Sequence, residues 1–411
     1  MSSLIPAVAT NIARKIYLDR MRPLLGTPQI KVLTGMRRSG KSVLLAQLAH
    51  ELIHAPSSVQ PSHICWIDME DLAFDHLRTY KDLHAYIEGY FKKIATSSHK
   101  KYLFIDEIQE ISEWERVVRH YAKQTDFEVF ITGSNSNFLS SELATMLAGR
   151  YVSFHVYPLC YREFLEFRPS GDFNEFVLLG GLPGVVMLEG EQTKREALEG
   201  ILHTVLFRDV IERFEVRNGA LLTDVLKFIA SNIGNPTTTQ SIVAHLKSER
   251  ISLAFETIRD YLQHYARAFL VYPVGWQDAI GKRHLNLNQK YYFSDLGLRH
   301  RLLPMRAEHR GQVLENIVYQ ELLVRGYSVT IGRVGMLEVD FVAERGSEKI
   351  YIQVCYLLAS EETITREFRS LKAIPDNHPK LVLSMDTAWG GGDDGIVWLN
   401  LVEWLATDTP Y

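Results

Sequence analysis

The sequence predicts an α/β protein: a parallel sheet flanked by helices, then a helical segment, a three-helix module and a second α/β module. Three observations lead there. Short apolar runs alternate with helix-length stretches through the first 157 residues, the pattern of parallel strands joined by helical crossovers. A chain of 411 residues is long enough for two or three domains. Charge is also unevenly spread: residues 1–220 carry 25 basic and 27 acidic side chains, 221–310 carry 12 and 7, and 311–411 carry 8 and 15. Balances of −2, +5 and −7 separate modules of different character, and only the middle one is basic. The divisions expected are 1–157, 158–220, 221–310 and 311–411.

Composition removes several classes. With 46% hydrophobic and 23% charged residues the chain is neither disordered nor fibrous, and a net charge of −4 gives no general attraction to nucleic acid. Cys65, Cys160 and Cys355 are too few and too scattered for a disulfide framework or a structural zinc site, which fits a reducing compartment. The first 15 residues lack a basic segment ahead of an apolar one, and no apolar run reaches roughly 18 residues. A cytoplasmic protein with no membrane partner is expected.

The elements follow in order. Strands are expected over 30–34, 63–67, 102–105, 127–132 and 151–156, each separated by helix-length sequence. A helix over 41–53 offers Val43, Leu44, Leu45, Leu48 and Leu52 for burial, and a short helix is expected around 143–147. Pro158 ends this unit, and the chain reads as helical to about residue 218. Glycines 390, 391, 392 and 395 form a loop with no helix after it, so it is not a phosphate cradle.

The chemistry begins at Gly35-Met36-Arg37-Arg38-Ser39-Gly40-Lys41-Ser42, a G-x-x-x-x-G-K-[ST] loop between a predicted strand and a predicted helix. A glycine at position 40 lets the backbone approach phosphates, and successive N–H groups at the helix start supply positive potential. Lys41 is expected on the β- and γ-phosphates and Ser42 on Mg²⁺, with Val43 behind the loop completing the ATP contacts. The apolar run Tyr102-Leu-Phe-Ile then ends in Asp106 and Glu107. A strand tip delivers Asp106 toward Mg²⁺, and Glu107 can orient or deprotonate the attacking water.

Together with residues 131–151, the segment from Pro158 to Phe164 and the run Gly180-Gly181-Leu182-Pro183, these motifs resemble the AAA+ superfamily. The closer likeness is to a prokaryotic ATPase family with an uncharacterised C-terminal domain, and it spans essentially the whole chain. The resemblance implies a γ-phosphate sensor at Ser134 or Asn135. It implies an arginine finger at Arg150, acting in trans in a homo-oligomer, or else a surface arginine capping a helix. Gly181-Leu182-Pro183 resembles an element whose proline touches adenine, with a plain interhelical turn as the alternative. Arg14 and Tyr17 would flank the base from the N-terminal side.

Residues 221–310 look like a winged helix, with helices over 221–233, 239–247 and 256–269 and wing strands over 269–273 and 289–293. Ile258, Leu262 and Tyr265 form the third helix's apolar stripe, leaving Arg259, Gln263, His264 and Arg267 on other faces. With Lys282 and Arg283 in the hairpin, this module contacts DNA or docks a protein partner. The last module resembles the restriction-endonuclease-like fold. Glu315 on a helix, with Asp340 and Gln353 on successive strands, would be its metal ligands, but Cys355 stands where that pattern wants lysine, and a thiol supplies no cation. A degenerate nuclease fold is therefore expected. The reading as a whole is a Mg²⁺-dependent ATPase that repositions its later modules; the alternatives are a slow nucleotide switch scaffolding a partner, and an ATP-driven DNA nuclease.

Overall fold

The computed structural model describes residues 5–6, 12–54, 59–94, 100–135, 147, 149–251, 253–280, 284–358, 360–387 and 395–408. The expected helix at 143–147, apart from Leu147, lies outside the described residues, as do Lys282, Arg283 and most of the 390–395 loop. The chain divides into two compact units, Met1–Val156 and Tyr157–Tyr411.

The first unit is a five-stranded, all-parallel sheet of β1 (Ile30–Thr34), β2 (Ile64–Asp68), β3 (Lys101–Asp106), β4 (Phe127–Gly133) and β5 (Tyr151–His155). Their spatial order is β2-β3-β4-β1-β5. Each strand is apolar on both faces, because alternate side chains feed two different cores. Cys65, Ile67, Leu103, Ile105, Val129 and Ile131 pack on one side, while Ile64, Trp66, Tyr102, Phe104 and Phe130 pack on the other. The helix Lys41–His54 lies on the second side through Leu44, Leu45, Leu48 and Leu52. Val43 departs from expectation: in the helix's first turn it faces outward and is 37% exposed.

The second unit opens with the helices Tyr161–Phe167, Phe173–Leu179, Pro183–Val186 and Glu191–Thr204, the last continuing in wider turns over Val205–Glu212. Three helices follow, Gly219–Ser231, Thr239–Ser248 and Phe255–Arg267, close to the bounds expected of the middle module. Ile258, Leu262 and Tyr265 are buried as the periodicity requires. His264 does not stand on an open face, because its ring stacks on Phe214 at 4.1 Å between centroids.

The hairpin of β6 (Val271–Asp278) and β7 (His284–Phe293) differs from a free wing. It forms the edge of a seven-stranded mixed sheet with β8 (Ser328–Val334), β9 (Leu337–Arg345), β10 (Glu348–Val354), β11 (Lys380–Ser384) and β12 (Ile396–Asn400). The order is β12-β11-β10-β9-β8-β6-β7, and β6 joins β8 in parallel through Trp276, Gln277 and Asp278. The physical reason is burial. Val271, Val274 and Trp276 are all buried, so β6 lies within a core, where β8 satisfies the backbone edge that β7 leaves open. The sequence divisions at 220 and 310 thus fall inside one compact unit. No helix among the described residues is long and apolar enough to cross a membrane.

Candidate active site

The turn after β1 is shaped by close approach. Gly35 has φ +143°, and a Cβ there would lie 2.2 Å from the carbonyl oxygen of Val156, so no side chain fits. Gly40 has φ +99°, also outside the range of ordinary residues. The loop therefore closes tightly before the helix starts at Lys41. Met36 and Ser39 are buried, Arg37 pairs with Glu70, and Arg38 and Ser42 face outward. The Ser39 hydroxyl is buried without a hydrogen-bond partner. Arg14 braces the loop, donating to the Ser39 carbonyl at 2.9 Å while its guanidinium lies 4.5 Å from the centre of the Tyr17 ring. Of the two residues expected near a base, Arg14 is thus brought against the loop, with Tyr17 beside its guanidinium.

Strand order brings the acids to this loop, since only β4 separates β1 from β3. Lys41 Nζ donates to the carbonyls of Gly35 and Met36, both at 3.1 Å, and lies 3.5 Å from Glu107 Oε1. Burial alone would raise Glu107, but the Lys41 charge and the Gln109 hydrogen bond outweigh it and hold it below the usual carboxylate range. Asp106 goes the other way. Burial, and then the Glu107 charge, push it up to about 6, against hydrogen bonds from Ser42 and Thr132. The two neighbouring acids are thus driven apart in acidity, as acid–base chemistry requires.

Thr132, at the end of β4, ties the pair together. Its hydroxyl donates to Asp106 and accepts the Glu107 N–H at 2.9 Å. Glu107 has φ +50°, a strained backbone for a non-glycine residue, which turns its side chain toward Lys41. Gln109 donates to Glu107 and, at 3.4 Å, to Ser134. Ser134 and Asn135 are both buried at the strand end. Arg150 is exposed at the start of β5, where its carbonyl accepts the Ile30 N–H.

Sequence reasoning missed Thr132, Gln109, His155 and Asp68. Asp68 had a readable signal, since Ile64–Asp68 is a second apolar strand ending in an acid, and it stands beside Asp106 in the sheet. His155 Nδ1 lies 3.1 Å from Thr34 Oγ1; burial, then the Lys41 charge, push its ring down to about 3.

In the second unit, the Gly180–Pro183 run has a structural use. The Asp295 carboxylate accepts the Gly181 N–H at 2.7 Å and the Leu298 N–H at 3.1 Å. A Cβ on Gly180 would come within 2.3 Å of that carboxylate. Burial raises Asp295 to about 6, with its backbone donors pulling the other way. Pro183 opens the short helix Pro183–Val186 and is buried.

The expected metal ligands of the last module, Glu315, Asp340 and Gln353, lie on the helix Arg310–Val324, on β9 and on β10. Among the described residues no three His, Cys, Asp or Glu side chains are grouped so as to hold a metal ion. Lys290 reaches Glu338 at 2.5 Å and Glu315 at 3.2 Å, and the Asp340 charge acts on it as well. Burial would lower Lys290, but the charges of Glu315, Asp340 and Glu338 outweigh it and hold its ammonium above the ordinary lysine range. Cys355 is buried, and burial first of all pushes its thiol up. Lys290 and Glu338 carried no motif that singled them out.

Comparison with known proteins agrees with the first unit's architecture. Residues 27–165 match the model of an AAA domain, and residues 170–309 match a domain of unknown function, DUF8612. An uncharacterized protein of Haemophilus influenzae is 34% identical over 402 residues, covering 96% of this chain and 98% of its own. The uncharacterized protein MJ1544 of Methanocaldococcus jannaschii is 30% identical over 374 residues, covering 85% and 79%. Among solved structures, the Walker-type ATPase PABY2304 of Pyrococcus abyssi aligns over 70% of this chain and 95% of its own, with 18% identity and a TM-score of 0.48. Kinship over nearly the full length, with an AAA domain built on a phosphate loop and a parallel sheet, places this chain in the prokaryotic P-loop AAA+ ATPase family.

Proposed function

We propose that the protein is a Mg²⁺-dependent ATPase whose nucleotide state repositions the winged-helix and nuclease-like parts of its second unit. One observation carries the reading: Lys41 of the phosphate loop and Glu107 of β3 meet at 3.5 Å, with Asp106 hydrogen-bonded to Ser42 beside them. The residues fit the metal. The outward-facing Ser42 hydroxyl and the Asp106 carboxylate are already in contact and would hold Mg²⁺, which offsets phosphate charge.

Hydrolysis then uses the chain's own groups. Lys41 leaves the Gly35 and Met36 carbonyls to neutralise the β- and γ-phosphate oxygens. Glu107, kept ionised, orients a water and accepts its proton as the water oxygen attacks the γ-phosphorus. The bond from that phosphorus to the bridging oxygen breaks, and ADP leaves with the electron pair. Ser134 or Asn135 contacts the γ-phosphate, and Gln109 fixes the Glu107 carboxylate. Arg150, exposed, would complete a neighbour's site in an oligomer.

DNA contact belongs to the same proposal. Arg259 and Gln263 are exposed on the third helix of the middle module, in a region of net charge +5. The test is ATP turnover with and without DNA, with oligomer mass followed in parallel. Lys41→Ala should abolish nucleotide binding, and Glu107→Gln should retain ATP unhydrolysed. Wild-type turnover in purified Lys41→Ala would refute the assignment.

A further inference from the structure

We propose that Lys290 is the resident cation of the buried cluster in the second unit. Its ammonium takes the place beside Glu315 that a divalent metal would need, and its pairing with Glu315 and Glu338 acts as a lock. The likeness to a nuclease fold implies a metal held by Glu315, Asp340 and Gln353, and the residues present do not fit that role.

The cluster's groups engage one another closely. Lys290 is 2% exposed; its Nζ sits 2.5 Å from Glu338 Oε1 and 3.2 Å from Glu315 Oε2. The Tyr292 hydroxyl donates to the same Glu315 oxygen at 3.1 Å. One Asp340 oxygen accepts the Val354 N–H at 2.8 Å. The Gln353 carbonyl oxygen accepts from the Asp340 N–H and the Ser370 hydroxyl, each at 3.4 Å, while its amide donates to Glu367 at 3.0 Å. One oxygen each of Glu315 and Asp340 and the Gln353 carbonyl oxygen are thus engaged within the chain, and a dication entering beside Glu315 would meet the Lys290 ammonium. Buried charges persist only when paired and hydrogen-bonded, and Lys290 pairs here with both Glu315 and Glu338.

The cluster also ties three elements together. Lys290 and Tyr292 come from β7, Glu315 from the helix Arg310–Val324, and Glu338 from β9. The alternation Lys290-x-Tyr292 puts both side chains on one face of the strand. The lysine absent at Cys355 is therefore answered from another strand, by a cation that closes the site.

The experiment uses the full chain without nucleotide and Mn²⁺ alone as probe, read by electron paramagnetic resonance, with thermal melts alongside. Wild type and Asp340→Asn should give the same Mn²⁺ spectrum. Lys290→Met should melt lower by on the order of 5–10 °C, because it strands buried carboxylates. Lys290→Met/Glu315→Gln should recover at least half of that loss. A wild-type Mn²⁺ site removed by Asp340→Asn, or an unchanged melt in Lys290→Met, overturns the proposal. Should Lys290→Met fail to fold, the Mn²⁺ comparison decides alone. ATP turnover of wild type reports separately on the phosphate loop, so the two readings fail independently.

Discussion

Lys41 in the first unit and Lys290 in the second are both buried beside carboxylates, yet they stand in opposite conditions. Lys41 rests on two backbone carbonyls at 3.1 Å and keeps 3.5 Å from Glu107, beside a Ser39 hydroxyl with no partner. Lys290 is held at 2.5 and 3.2 Å by two acids, one of which also takes a tyrosine hydroxyl. The first arrangement gives up little when phosphate arrives; the second would give up a complete ion network. The same residue types therefore make a ligand site or a structural lock according to what already satisfies them.

The largest expected effect comes from substituting each lysine by methionine. Lys41→Met should lose nucleotide affinity by a hundredfold or more, on the order of 3 kcal/mol, since a phosphate cation is removed. Its melting temperature without nucleotide should fall less than that of Lys290→Met, since Lys41 pairs with a single acid, at 3.5 Å. Lys290→Met should do the reverse, costing about 3–5 kcal/mol of stability through uncompensated buried acids while ATP affinity is retained. Isothermal titration and denaturant melts of the two variants check this. If Lys290→Met lost ATP affinity while keeping stability, the distinction between site and lock would collapse.

pH should separate the two clusters next. Burial and Lys41 depress the His155 ring to about 3, below its ordinary value of 6.5. The folded state thus holds the ring neutral, while the unfolded chain takes up a proton below about pH 6.5. The stability linked to His155 is present above that pH and is lost as pH falls toward 3. The maximum slope is about 1.4 kcal/mol per pH unit. The residue as a whole is half-buried, so about 1 kcal/mol between pH 6.5 and 5 is expected. Urea titrations should show a flatter acid limb for His155→Gln; an unaltered limb would remove His155 from the electrostatics of the Lys41 site.

What was legible in the sequence follows the range of the interactions. The phosphate loop is eight consecutive residues, and the strands of the first unit announce themselves by apolar runs, so β1 and the helix behind it are found within a residue. Asp106 and Glu107 were legible because a strand tip is a local feature. Thr132 was not, because its role depends on β4 lying between β1 and β3, a register no local pattern specifies. Glycines 180 and 181 were visible as a motif, but their reason is Asp295, 114 residues beyond Gly181. The β6–β7 hairpin was found and its partner β8 was not, since pairing with a distant strand leaves no mark on the hairpin's own alternation. Lys290 was passed over for the same cause: its partners lie on a helix and a strand far along the chain.

The smallest expected effect bears on why Glu107 stays short of closing onto Lys41. Gln109 donates to Glu107 and to Ser134, so one amide spans the acid and the expected phosphate sensor. Gln109 is a positioning residue in this reading, since it acts through Glu107. Removing it should cost one hydrogen bond to a charged group that has other neighbours, about 1 kcal/mol or roughly fivefold in kcat. KM should stay within about twofold, because Lys41 and the loop amides hold the phosphates whether or not the acid is aligned. Gln109→Glu should be worse than Gln109→Ala, because a third carboxylate beside Asp106 and Glu107 repels the general base as well as releasing it. Steady-state ATP turnover of the two variants measures this. Equal kcat in both variants and wild type would show that Glu107 is aligned by Lys41 and Thr132 alone. The first cluster would then be nearer to the closed state of the second than its distances suggest.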